Sequence, residues 1–148
     1  MRSLGVAAMA ALLVLGIVTA QQPVAIEVYK TPTCGCCGKW VEHLRQQGFA
    51  PKVTDLEDVE TIKVKHGVPD GSRSCHTAIV QGYVVEGHVP AKEVHRLLKE
   101  RPTVVGIAVP GMPAGSPGME VPNGRVDSFD VISFDKQGKT RVFASYRK

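Results

Sequence analysis

The chain has 148 residues, 43% of them hydrophobic, and 18 Lys and Arg against 14 Asp and Glu leave a formal charge of +4. That length fits one domain with one core. The basic excess is mild and scattered among acidic residues, with no basic stripe interleaved with aromatics, which argues against nucleic acid as a partner.

Arg2 precedes an apolar run from Leu4 to Val18, and Val18-Thr19-Ala20 has the small-x-small pattern of a cleavage site. A run this short reads as a secretory signal peptide over 1–20, with an uncleaved anchor as the alternative. Cleavage would leave residues 21–148 as an exported, periplasmic domain with no further membrane segment. Val24 to Tyr29, rich in β-branched residues, predicts a strand, which Thr31-Pro32-Thr33 ends. From Cys37 the apolar positions Trp40, Val41 and Leu44 follow helical spacing as far as Gly48. Phe49 to Leu56 predicts a second strand. Asp58 to His66 predicts a short helix with Val59, Ile62 and Val64 as its apolar positions.

Pro69 to Ser74 is a turn-rich loop, and Thr77 to Val80 and Tyr83 to Glu86 predict a hairpin around Gln81-Gly82. Pro90 opens a helix carrying Val94, Leu97 and Leu98, closed before Pro102. Strand, helix, strand, helix, hairpin, helix, with cysteines at the first strand-to-helix junction, predicts an α/β domain with a thioredoxin-like sheet and flanking helices. The apolar stretch Thr103 to Val109 leads into a Gly/Pro/Met loop over Pro110 to Met119. Phe129 to Phe134 and Arg141 to Tyr146 then predict a closing β-hairpin.

The four cysteines are Cys34, Cys36, Cys37 and Cys75. Staples that restrict an unfolded chain close long loops, so three cysteines within four residues point to chemistry or metal instead. At a helix start, unsatisfied amides and the helix dipole favour a thiolate. That supports thiol–disulfide exchange through Cys34 and Cys37, and equally the binding of a soft metal. Cys36 adds a third thiol that would complicate clean exchange. Cys75 immediately precedes the third predicted strand, where a thioredoxin-like fold faces the C-x-x-C turn. Four convergent sulfurs suit Cu(I) or Zn(II). Two inert disulfides would instead make the chain a stapled binding module, although adjacent cysteines rarely satisfy disulfide geometry with each other.

Met112 and Met119 offer thioethers, which select Cu(I) over harder ions, or else fill gaps as packing residues. His88, after a glycine at a strand end, is a candidate ligand for either copper state. His76 is expected to point away from Cys75 along an extended segment. His43, His66 and His95 are expected to be solvated.

The stretches Thr31–Trp40, His66–Pro69, Ser74–Ala78, Glu86–Pro90, Val109–Pro113 and Gly115–Met119 together make the chain resemble the bacterial domain-of-unknown-function 411 family, CopG-like proteins associated with copper resistance. The resemblance implies a periplasmic thioredoxin-like protein that holds copper through the cysteines as a small thiolate-bridged cluster. It also implies Cu(I)/Cu(II) interconversion, with periplasmic copper carriers or redox proteins as partners. The metal set expected is Cys34, Cys36, Cys37 and Cys75, with His88, Met112 and Met119 as outer or state-dependent ligands. Enzymatic turnover, whether of copper or of disulfides, stays open at this point.

Overall fold

The computed structural model describes residues 22–148, so the expected signal peptide lies outside the described residues. Seven strands form one mixed sheet: β1 (Val24–Lys30), β2 (Phe49–Asp55), β3 (Thr77–Val80), β4 (Tyr83–Glu86), β5 (Gly106–Ala108), β6 (Phe129–Phe134) and β7 (Thr140–Tyr146). Their spatial order is β2-β1-β3-β4-β5-β6-β7. The β1–β2 and β4–β5 pairs are parallel and the other four are antiparallel. Among the described residues no helix is long and apolar enough to cross a membrane.

Alternation along the strands decides which face is buried. In β1, Ile26 and Val28 point into the main core while Ala25 and Glu27 are exposed. On the same side lie Ala78, Val80, Val85, Ile107 and Val131, covered by two helices, α1 (Gly35–Gln46) and α3 (Ala91–Glu100). The buried residues of α1 are Cys37, Trp40, Val41 and Leu44, spaced i, i+3, i+4, i+7 to make one apolar stripe. Fully buried Trp40 also donates Nε1–H to the Val89 carbonyl at 2.9 Å, tying α1 to the entry of α3. A smaller cluster of Val84, Ala108 and Phe134 under Val68 occupies the opposite face.

The turn between β3 and β4 puts Gln81 and Gly82 at φ of 46° and 86°, the two positive values that fit the twist of a two-residue hairpin. Thr103 to Val109 was expected only to be apolar. Three of its residues form β5, which pairs β4 on one side and β6 on the other and so carries the sheet through to the C-terminus. Two histidines expected to be solvated have structural work. The half-buried His43 accepts a hydrogen bond at Nε2 from the Ala91 amide (3.1 Å), satisfying a donor at the start of α3. Exposed His95 bonds the Gln47 carbonyl (2.8 Å).

The short helix after β2 departs further from the reading of its apolar positions. It is α2 (Glu60–Lys65), with Asp58 accepting hydrogen bonds from the Glu60 amide and the Thr61 hydroxyl. Val64 is 64% exposed, whereas Lys63 is fully buried. The Lys63 ammonium meets Glu86 Oε1 at 2.7 Å and Thr77 Oγ1 at 3.0 Å, and Thr77 donates its own hydroxyl to Glu86 Oε2 at 2.6 Å. Both charges are inaccessible to solvent, so each depends on the other. Lys63→Met is expected to destabilise the protein by about 3–5 kcal/mol, because a buried carboxylate would lose its counter-charge. Lys63→Met/Glu86→Gln should cost clearly less than the sum of the two single changes. Urea unfolding of the four proteins measures both.

Candidate metal centre

Four segments converge at one end of the sheet: the start of α1, residues 74–76 before β3, Gly87-His88 after β4, and the loop 110–119. Cys34 occupies the position just before α1 and Cys37 is buried in its first turn. A disulfide joins these two, their Cα atoms 5.3 Å apart, while Cys36 and Cys75 are free thiols. Cys36 Sγ lies 3.5 Å from Cys34 Sγ and 4.0 Å from Cys75 Sγ. All four sulfurs fall within 4.8 Å of one another. Cys75 thus shares one small volume with Cys36 and Cys37, 39 and 38 positions before it, and with Cys34 and Cys37 reduced that volume offers four thiol donors.

The position of Cys75 follows from what holds Ser74. The Ser74 amide donates to Glu86 Oε1 at 2.7 Å, and its hydroxyl donates to the Gly111 carbonyl at 2.6 Å. Glu86 is itself fixed by Lys63 and Thr77, so the buried ion pair anchors the cysteine-bearing segment. Gly87 closes the arrangement. At φ +71°, any Cβ on it would lie 2.5 Å from Ser74 Cβ and 2.8 Å from the Val109 carbonyl oxygen. The close approach of the three segments requires glycine there.

His88 is oriented as a ligand would be. Its Nδ1–H donates to the Pro117 carbonyl at 2.8 Å, which leaves the Nε2 lone pair facing Cys75 Sγ at 3.0 Å. Burial pushes the His88 imidazole below its usual pKa, the Pro117 hydrogen bond opposing only in part. Burial likewise pushes the Cys75 thiol up to about 11, with the neighbouring Cys36 adding to the effect. At neutral pH the pair therefore consists of a thiol donating to a proton-free imidazole nitrogen.

His76 was expected to turn away from Cys75, and the structure places it otherwise. Its Nδ1 is 3.4 Å from Cys75 Sγ, its ring packs against Trp40 with centroids 4.3 Å apart, and its edge meets His88 at 5.0 Å. Its Nε2 is buried with no hydrogen-bond partner among the described residues. Burial, then the proximity of His88 and Lys63, holds this imidazole well below the normal histidine range. Strict alternation failed because residues 74–76 precede β3, which starts only at Thr77. Cys75, His76 and His88 form a second donor group within 4.8 Å, sharing Cys75 with the first.

The Gly/Pro/Met loop lies on top of the cysteine turn. A Cβ at Gly118, whose φ is +86°, would sit 2.7 Å from the Cys36 carbonyl oxygen, 2.9 Å from the Trp40 amide nitrogen and 3.3 Å from His88 Nδ1. The half-buried Met119 follows directly, its backbone pinned by hydrogen bonds to Ser116 (2.8 Å) and Gly115 (2.9 Å). Met112 stands at the outer part of the loop and is 53% exposed.

Residues 72–119 match the family model described as protein of unknown function DUF411. No curated protein matches the chain. Two solved structures do, both with a TM-score of 0.80. "Copper resistance protein copG- Form 2" is 43% identical, covering 85% of this chain and 100% of its own. "Copper resistance protein copG- Form 1" is 42% identical, covering 86% and 100%. The matched segment contains Cys75, both buried histidines and the methionine loop, and the copG likeness spans the whole relative, so the chain belongs to the DUF411 family of CopG-like copper resistance proteins.

Proposed function

We propose that the protein is a periplasmic copper-binding protein of copper resistance and homeostasis, which holds Cu(I) as cargo through Cys34, Cys36, Cys37 and Cys75 in their reduced state. His88 adjoins this set, and Met112 and Met119 serve as outer or state-dependent ligands. The observation that carries the reading is the approach of Cys75 to both the cysteine turn and the preset lone pair of His88. The donors are chemically consistent with copper: thiolates and a thioether are soft ligands, and a neutral imidazole accepts either copper state. A partly buried, sulfur-rich cluster would limit the access of oxygen to Cu(I), and the mixed donor set suits Cu(I)/Cu(II) interconversion. Residues 1–20 would direct export and be removed, leaving periplasmic copper carriers or redox proteins as partners. The order β2-β1-β3-β4, with β1 and β2 parallel and β3 antiparallel to both neighbours, supports a thioredoxin-like origin for the frame.

The Cys34–Cys37 disulfide at the start of α1 favours a second reading, a thiol–disulfide oxidoreductase. The two separate cleanly. Reduced, metal-free protein that turns over a disulfide substrate supports the second. Tight Cu(I) uptake that falls with each cysteine-to-serine change supports the first.

Anaerobic titration of reduced protein with Cu(I) against a competing chelator should show Cys75→Ser losing at least tenfold in affinity or a whole equivalent of capacity. Recovery of zinc instead of copper from copper-grown cells would overturn the assignment. A pH dependence of known sign should accompany binding. Cys75 is protonated at pH 7, so metal capture displaces its proton. Affinity should therefore weaken as pH falls, about tenfold per pH unit for each proton displaced. Because the His88 pKa is depressed, its imidazole is already uncharged near neutrality, with Nε2 free of a proton. His88→Ala should lower affinity but leave the slope between pH 7 and 8 unchanged, as potentiometric proton counting during titration would show.

A further inference from the structure

Within the copper reading, on which this inference rests, the four sulfurs are not equivalent. Cys34 and Cys37 are already joined, while Cys36 and Cys75 remain free and 4.0 Å apart. The division follows from the helix start: positions three apart lie on the same side of the first turn and can bridge across it. Cys36 is adjacent to Cys37, and vicinal cysteines do not readily bridge. Closing the 34–37 bond therefore leaves Cys75 Sγ between two donors that are still free, Cys36 Sγ at 4.0 Å and His88 Nε2 at 3.0 Å. Cys75 and His88 belong to segments that are also held from outside α1, through Ser74–Glu86 and His88–Pro117. Cys36 Sγ touches both halves, 3.5 Å from Cys34 Sγ and 4.0 Å from Cys75 Sγ.

We propose that Cys34 and Cys37 are a built-in two-electron donor that reduces arriving Cu(II) to Cu(I), while Cys75, with Cys36 on one side and His88 on the other, stays free as a donor for the Cu(I) formed. The step balances as two Cu(II) and two cysteine thiols giving two Cu(I), one disulfide and two protons. Two S–H bonds break, one S–S bond forms, and each copper gains one electron. A further round requires an external dithiol to reduce the bond. Cys34 is the accessible end for that attack, since it is only partly buried whereas Cys37 is fully buried.

The test uses the mature chain, reduced and held without oxygen, given two equivalents of Cu(II) sulfate with excess bathocuproine disulfonate to report Cu(I). Two Cu(I) per chain are expected, with a mass loss of two hydrogens. Peptide mapping should place the new bond at Cys34–Cys37, with Cys36 and Cys75 still alkylatable. Cys34→Ser should form Cu(I) at least tenfold more slowly. Persistence of four thiols, a bond mapped to Cys36–Cys75, or wild-type speed in Cys34→Ser would each overturn the proposal. Direct titration of the same preparation with Cu(I) separates the two levels of inference. If Cu(I) binds while Cu(II) is not reduced, the copper reading survives and the electron-donor role falls; absence of Cu(I) binding removes both.

Discussion

A buried carboxylate organises the working end of this molecule. Glu86 has no contact with solvent, yet it accepts hydrogen bonds from the Lys63 ammonium, the Thr77 hydroxyl and the Ser74 amide. Each donor comes from a different place in the chain: α2, the start of β3, and the loop that delivers Cys75. An ammonium and a carboxylate left apart in this interior would each carry a desolvation penalty of several kcal/mol. The helix, the strand and the loop are therefore obliged to meet where the charges meet. Cys75 has its position because its neighbour Ser74 is one of those partners.

A second constraint is imposed from above by backbone rather than charge. The loop 110–119 reaches the site through Ser74 with Gly111, His88 with Pro117, and the contact of Gly118 with the first turn of α1. Prolines limit the loop's conformations and glycines let it approach where a side chain would collide. The same hydrogen bond that docks the loop fixes the His88 tautomer. Closing the site and preparing its nitrogen donor are one event.

The sequence was most legible where periodicity spoke for one face of one element. Trp40, Val41 and Leu44 marked the buried stripe of α1, and Gln81-Gly82 marked the tight turn between β3 and β4. Cysteine spacing likewise pointed to Cys75 as a companion of the 34–37 turn, which the coordinates place within reach of it. Legibility failed where a long-range partner outweighed local pattern. Lys63 looked like one scattered surface charge, and only Glu86, 23 residues away, makes its burial tolerable. Val64 took the outward position as a consequence. His76 escapes the alternating pattern because it precedes the strand, which begins at Thr77. The three residues of β5 gave too short a pattern to be seen as the link between the two halves of the sheet.

Cys75 belongs to both donor groups, the sulfur set and the set with His76 and His88. A single atom common to two sites forbids independent occupancy. Any cation drawn to one side withdraws electron density from the sulfur that the other side needs, and it strips that sulfur of its proton on behalf of both. Filling would then be correlated, with the first arrival setting the terms for the second, so a centre built this way reads as one unit with a shared hinge atom rather than as two adjacent pockets.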